Sequence, residues 1–271
     1  TLEQARQQNK KLTLVSAPAG YGKTTLVTEW LSGSPTKTAW LSLDEGDNDP
    51  ARFLAYLIAA LMQIDERIGM ETLPMLQSPG PLPPELVLTS LINEITTVGT
   101  SFILALDDYH TIHAIPVHRQ LEFMVEHQPP HMHLVLITRE DPPLPLARLR
   151  ARGQMVEIRQ ADLRFSTQEC TDFLQRSMGV VLTPDDLHTL ERRTEGWIAG
   201  LQLAALSMQG CDDLPGFIKA FSGSSYFVLE YLVTEVFEQQ AEDVQSFLLK
   251  TCLLDRLCGP LCDAVAGRTG S

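Results

Sequence analysis

Positive charge is scarce in this chain. Its 271 residues hold 21 Lys and Arg against 34 Asp and Glu, a formal charge of −13, and a field of that sign repels phosphate backbones at long range. The chain by itself is therefore a poor nucleic-acid binder. Long apolar runs are missing as well. The longest, Trp197 to Leu206, is interrupted by Gln202 and is half of the roughly 20 residues that cross a bilayer, so no membrane segment is expected. The first residues, Thr1-Leu2-Glu3-Gln4-Ala5-Arg6, contain neither a signal-type apolar stretch nor an initiating Met, which reads as a piece of a longer, cytoplasmic protein. Paired cysteines are absent too. The count is five, and Cys252, Cys258 and Cys262 stand six and four apart; this matches neither a zinc knuckle nor a disulfide framework, and reduced core thiols are expected. No internal repeat of solenoid length and no low-complexity tract occurs. What remains is an ordinary globular mixture, 44% hydrophobic and 20% charged with 17 Gly and 17 Pro, long enough for about two domains at roughly 150 residues each.

The first 160 residues alternate short apolar runs with helical patterns, the signature of βα units building a parallel sheet. Strands are expected at Leu12–Ser16, Thr38–Leu43, Phe102–Leu106, His133–Thr138 and Met155–Arg159. Their apolar residues run without alternation, as in strands covered on both faces. Crossover helices are expected at Thr24–Leu31, Pro50–Ile64, Pro84–Val98 and Ile115–Glu126. Between them, Leu73–Pro84 holds five prolines and is read as a surface loop. After Arg159 only helical patterns follow, which places a boundary near Gln160. Ser166 with Glu169 forms a capping box, and Thr183 before Pro184 marks another helix start. Trp197, Leu201, Ala204, Ala205 and Met208 share one helical face, as do Leu229, Leu232, Val233, Val236 and Phe237.

The sharpest motif is Ala17-Pro18-Ala19-Gly20-Tyr21-Gly22-Lys23-Thr24-Thr25, directly after the first strand and before a helix. It reads as a P-loop. Its glycines let the amides of Gly20, Tyr21, Gly22 and Lys23 turn inward as an anion nest, to which the helix start adds its positive end. Lys23 would reach the β and γ phosphates of a nucleotide and the Thr24 hydroxyl would ligate Mg²⁺. Ala17 replaces the first glycine of the pattern. A glycine-rich turn that binds nothing is the plainer alternative, but such a turn has no use for a lysine aimed into an anion nest.

Later comes Phe102-Ile103-Leu104-Ala105-Leu106-Asp107-Asp108-Tyr109-His110, an apolar strand ending in two acids. This is a Walker B pattern: Asp107 would hold the Mg²⁺ shell, and Asp108 would orient or deprotonate the attacking water. At the tip of the next strand, Arg139 is the candidate γ-phosphate sensor, with Thr138 in a lesser part; the alternative is a surface arginine paired with Asp141. Lys23, Asp108 and Arg139 thus form the candidate catalytic set. His110 with His113, and His131 with His133, look like metal pairs but lack a third ligand. Asp44, Glu45, Asp47 and Asp49 read as a solvated acidic turn, and Arg148, Arg150, Arg152 and Arg164 as a salt-bridged surface. Neither Asn9-Lys10-Lys11-Leu12 nor Thr36-Lys37-Thr38-Ala39 carries the Asp that a guanine-reading loop needs, which favours ATP over GTP.

Taken together, the P-loop stretch, Leu106-Asp107-Asp108-Tyr109-His110, Thr138 to Arg150, Asp162-Leu163-Arg164-Phe165-Ser166 and Gly196-Trp197-Ile198-Ala199-Gly200-Leu201 resemble the nucleotide-binding module of the large ATP-dependent LuxR-type transcriptional regulators, the MalT-like STAND-class P-loop ATPases. The resemblance covers nearly the whole chain. It implies an α/β P-loop NTPase domain over residues 1–160, an all-helical domain over 161–222, and over 223–271 a connecting helix and the start of a winged helix, with Phe247–Asp255 as its opening helix. It implies ATP or ADP and Mg²⁺ as ligands, with Ala19, Gly20, Tyr21, Gly22, Lys23, Thr24 and Thr25 around the phosphates. It further implies a switch: an ADP-bound resting form, an ATP-bound form that self-associates with the help of a small-molecule or protein inducer, slow hydrolysis as the timer, and DNA contacts through a separate C-terminal domain. One departure is Ile198, which stands where the family usually has the Pro of a Gly-x-Pro motif. Two other functions fit a P-loop: a kinase, whose arginine lid would have to be the Arg148–Arg152 strip, and a nucleotide-binding scaffold without turnover.

Overall fold

The computed structural model describes residues 10–266 except 79, 81–82, 180, 209–212, 223–224, 253 and 255–257. The chain divides into two compact units, Thr1–Arg164 and Phe165–Ser271. In the first unit, β1 (Leu12–Ser16), β2 (Lys37–Ser42), β3 (Phe102–Asp107), β4 (Met132–Thr138) and β5 (Met155–Arg159) form one sheet of order β2-β3-β4-β1-β5. Every pairing is parallel, and Ser16 lies level with Thr138 across β1 and β4. All residues of β1, β3 and β4 are buried. Full burial is why these runs show no polar alternation: helices cover both faces. All five expected strands are present.

The crossover helices are α1 (Lys23–Ser32), α2 (Pro50–Met62), α4 (Pro84–Val98) and α5 (Ile115–His127), with a short α3 (Thr72–Leu76) between the second and third of them. Helix α2 starts where Asp49 accepts from the amides of Ala51 and Arg52 at 3.0 and 2.8 Å, with Pro50 as its first residue.

Two sequence expectations need correction here. The stretch read as a loop from Leu73 contains helix α3, whose start is held by a carboxylate from another helix. Glu94 accepts from the amides of Gly69 and Glu71 at 2.9 and 2.7 Å and from the Thr72 hydroxyl at 2.6 Å. Pro79 and Pro81 lie outside the described residues. Nor is the acidic turn after β2 simply solvated. Asp47 is 2% exposed; it accepts from the Asp44 amide at 2.9 Å and from the Arg52 guanidinium at 3.1 Å. The turn is a 3₁₀ helix over Glu45–Asn48 closed by its own capping box.

After β4 come α6 (Leu146–Ala151) and, beyond β5, α7 (Gln160–Leu163), the last element of the first unit. The second unit is helical throughout its described residues: α8 (Thr167–Met178), α9 (Pro184–Thr194), α10 (Ile198–Met208), α11 (Leu214–Ala220), α12 (Tyr226–Leu232), a π-helical segment (Val233–Phe237), α13 (Glu242–Thr251) and α14 (Gly259–Ala266). Ser166 caps α8 in a closed box with Glu169, and Thr183 caps α9 through the Asp186 amide. The first apolar face is as read: Leu201, Ala204, Ala205 and Met208 are buried, with Trp197 packed against them. The second is not. Val228 is the buried residue of α12, whereas Leu229, Val233 and Val236 are exposed. The π-helical turn over Val233–Phe237 breaks the 3.6-residue period on which that face was read. Helix α13 begins earlier than the expected Phe247, and Asp255 lies outside the described residues. Cys170 and Cys262 are buried thiols while Cys252 and Cys258 are exposed, so core burial holds for two of the four described cysteines. Among the described residues no helix is long and apolar enough to cross a membrane.

Candidate nucleotide site at the strand tips

The parallel sheet brings the C-terminal tips of β1, β3 and β4 to one end, and every candidate residue sits there. After Ser16 the chain turns through Gly20 and Gly22, whose φ of 78° and 71° lie in the left-handed region that glycine enters without a Cβ clash. Gly22 is the residue before α1, so the helix opens with its free amides facing the loop. Lys23 is its first residue and is only 9% exposed. Its ammonium folds back to donate to the Pro18 carbonyl at 3.0 Å. Burial holds the Lys23 pKa below its ordinary value, and the Arg139 charge pushes it the same way, against the opposing pull of Asp108 and Asp107. A desolvated cation over a nest of amides is a site that gains from an anion.

Thr24 follows, and its hydroxyl donates to Asp107 Oδ1 at 3.3 Å, joining the P-loop helix to the tip of β3. Asp107 is 4% exposed, and burial first, then the charge of Asp108, raises its pKa. Ionising this carboxylate is therefore unfavourable until a cation arrives. A hydroxyl and a buried acid side by side are the oxygen donors a hard divalent cation takes, so Thr24 and Asp107 fit Mg²⁺ as a donor set.

Asp108 has its backbone in the left-handed region at φ 54°, a conformation Asp tolerates better than most residues. Its amide donates to Asp107 Oδ1 at 2.9 Å, which leaves its own carboxylate pointing elsewhere, about half exposed. Next to it, His110 has its pKa pushed down to about 4 by burial and, after that, by the Arg139 charge. The Arg139 charge thus reaches both Lys23 and His110. Asp141, the alternative partner considered for Arg139, pairs with the Arg159 guanidinium, which holds its carboxylate below the usual range.

Of the remaining P-loop positions, Ala17 is buried and its amide donates to the Thr138 carbonyl at 3.3 Å, so a small side chain suits the place of the missing glycine. Ala19 is half-buried, and Thr25 is exposed on the first turn of α1. Sequence reasoning missed one contact: Gln160 Nε2 donates to the Tyr21 hydroxyl at 2.7 Å, tying the P-loop to the start of α7. Nothing in a spacing of 139 residues signals it. The pair His131 and His133 makes hydrogen bonds within the fold. His133 bonds the Thr13 hydroxyl at 2.9 Å and the Lys10 carbonyl at 2.7 Å, and His131 bonds the Ile95 carbonyl at 3.0 Å. No group of three or more metal-ligand side chains occurs among the described residues. In the arginine strip, Arg148 pairs with Glu126 at 3.3 Å and Arg150 with Glu157 at 2.6 Å, the salt-bridged surface expected of them.

The chain is similar to several known proteins. A family model described as the MalT winged helix domain matches residues 233–271. Over 96% of its length the chain is 35% identical to the HTH-type transcriptional regulator MalT of Cronobacter sakazakii, covering 29% of that protein. It is also 32% identical, over 96% of its length, to the serine/threonine-protein kinase PknK of Mycobacterium tuberculosis, covering 24% of it. The chain thus spans under a third of the length of these curated relatives. Among solved structures it is similar to a STAND protein with a tetratricopeptide repeat sensor from Pyrococcus horikoshii, with a TM-score of 0.55 at 17% identity over 99% of this chain and 37% of that one. A Walker-type ATPase of Pyrococcus abyssi matches with a TM-score of 0.58 at 15% identity, over 100% of this chain and 82% of that one. These two likenesses establish the P-loop ATPase fold.

Proposed function

From homology to the MalT regulators across nearly its whole length, on a P-loop ATPase fold, we propose that this chain is an adenine-nucleotide switch: the regulatory module of a larger LuxR-type transcriptional activator. The observation that carries the reading is the meeting of Lys23, Thr24 and Asp107 at the strand tips, with a desolvated ammonium above a glycine nest and a hydroxyl 3.3 Å from a buried acid. Lys23 and the amides of Gly20 to Thr25 hold the phosphates, and Thr24 and Asp107 hold Mg²⁺. Bound Mg²⁺ supplies neutralisation of phosphate charge. The half-exposed Asp108 carboxylate orients a water and takes its proton as the water oxygen attacks the γ-phosphorus and the bond to the ADP oxygen breaks. Arg139 faces the charge that develops on the transferred group. Hydrolysis on this reading is slow and resets the switch.

For nucleotide exchange to move such a switch from 1:99 to 99:1, ATP must favour the active state by about 5.5 kcal/mol over the resting one. In the whole protein the ATP-bound state self-associates under an inducer, and DNA is read by a separate domain. The likeness to PknK supports the switch over any single output: proteins named for different outputs carry the same stretch. Titration of the chain with Mg-ADP, Mg-ATP and Mg-GTP, beside Lys23→Ala, tests the reading. Adenine nucleotides should bind, GTP more weakly, and Lys23→Ala should abolish binding. Equal binding by Lys23→Ala and wild type would overturn it.

A further inference from the structure

The loop after the acid pair is pinned from both sides. Tyr109 is 1% exposed, with its hydroxyl 2.8 Å from His118 Nδ1. The Thr111 hydroxyl donates to the Asp108 carbonyl at 2.9 Å. Asn48, from the turn after β2, donates to the Thr111 carbonyl at 2.9 Å and accepts from the His113 and Ala114 amides at 2.6 and 2.8 Å. Between these anchors His110 is held in place, yet its Nδ1 is shut off from solvent and has no hydrogen-bond partner. Such a vacancy is unfavourable, because the group has lost water and gained nothing in return. Asp108 Oδ1 lies 3.8 Å from it, about 0.6 Å beyond the upper end of a hydrogen bond. Arg139, Lys23, Asp108 and His113 are the charged or titratable groups acting on the ring; two cations there and burial keep it neutral. A neutral imidazole has one N–H to give.

We propose that His110 is a positioning residue for Asp108: when Mg-nucleotide fills the P-loop, the Asp108 carboxylate turns onto the His110 Nδ1–H, and its second oxygen is thereby aimed at the attacking water. The carboxylate can make this turn because it is half exposed, whereas Asp107 is buried and takes the Thr24 hydroxyl. The inference rests on Asp108 being the residue that handles the water.

The test compares His110→Asn with His110→Gln in the whole chain. The Asn amide nitrogen falls where Nδ1 lies, and the Gln amide nitrogen falls where Nε2 lies. Mg-ATP affinity should stay within about twofold for both. Turnover should fall on the order of tenfold to a hundredfold in His110→Gln, as expected for a misaimed group, and recover to within about threefold of wild type in His110→Asn. Independently of turnover, ¹⁵N NMR of the imidazole should show a hydrogen-bonded Nδ1 proton on adding Mg²⁺ and a non-hydrolysable ATP analogue, and Asp108→Ala should abolish it. Equal losses in the two variants, or an Nδ1 proton indifferent to Asp108→Ala, would overturn the proposal. If nucleotide binds without measurable hydrolysis, the ring signal alone decides. Failure to bind nucleotide at all would remove the switch reading and this inference together, whereas nucleotide-dependent turnover that is lost in Asp108→Asn and intact in His110→Gln would sink this inference only.

Discussion

The two units of the chain reach stability differently. In Thr1–Arg164 the three central strands are buried throughout, and the largest fully buried side chains among the described residues, Tyr109, Phe53 and Phe102 among them, all belong to this unit. In Phe165–Ser271 the core is a smaller cluster that includes Leu174, Leu201, Met208 and Phe221, while Tyr226 (72% exposed), Leu249 (64%) and Leu229 (52%) face outward. The difference teaches where precision is held. Groups that must keep fixed distances stand on strand tips locked by a parallel ladder, and the helical unit depends more on its caps and a few shared faces.

That contrast is open to attack. The largest effect is expected at the sheet centre: Leu104→Ala, at a position with no exposed surface, should cost about 2–5 kcal/mol and raise hydrogen exchange through the strands of the first unit. Exchange unchanged in those strands would contradict a single sealed core. Acid comes next. His110 has its pKa pushed down to about 4, below the roughly 6.5 of an unfolded histidine, so its neutral form favours folding at pH above 6.5 and that contribution fades as pH falls towards 4. On the order of 2–3 kcal/mol should be lost across that window by the first unit alone, and a chemical denaturation series in His110→Gln should lack this component. Asp107 runs the other way. Its pKa is raised, so the folded state favours the protonated acid and ionisation at rising pH destabilises it; Asp107→Asn should raise the melting temperature without ligand while weakening Mg-ATP binding. A lower melting temperature without ligand would show that the carboxylate is stabilising as an anion.

Smaller changes come last, one in each unit. Ser166→Ala removes the hydroxyl of the box that closes the start of α8 and should cost about 1 kcal/mol, seen as faster exchange in α8 with the strands unaffected. Arg148→Ala, breaking an ion pair exposed on both sides, should leave stability within about 0.5 kcal/mol of wild type. A larger loss there would mean the arginine strip is structural.

Much of this was legible beforehand, for physical reasons. The three central strands, buried on both faces, write themselves as unbroken apolar runs, and the edge strands β2 and β5 keep enough apolar residues to be read beside them. The P-loop was readable because a positive φ at Gly20 and Gly22 demands glycine, and the Walker B acids because polar residues follow a buried strand directly. What stayed hidden depends on partners distant in sequence or on backbone detail. Pro74 suggested a loop, yet it sits in the first turn of α3, where the lost N–H had no helical partner anyway, and Glu94 supplies the acceptors from another helix. Asp47 looked solvated because nothing in four clustered acids says that Arg52 will fold over them. At Leu229 to Phe237 a helical period marked an apolar face, but a period cannot say what covers it, nor foresee a π-helical turn.

The measurement that bears most directly on the adenine-nucleotide site is hydrogen exchange of the chain with and without Mg-ADP, in wild type and in Lys23→Ala. Protection confined to residues 17–26 and 107–110 and absent from Lys23→Ala is the expected result. Protection that persists in Lys23→Ala, or that appears only in the helical unit, would place the nucleotide elsewhere and contradict a site built on Lys23, Thr24 and Asp107.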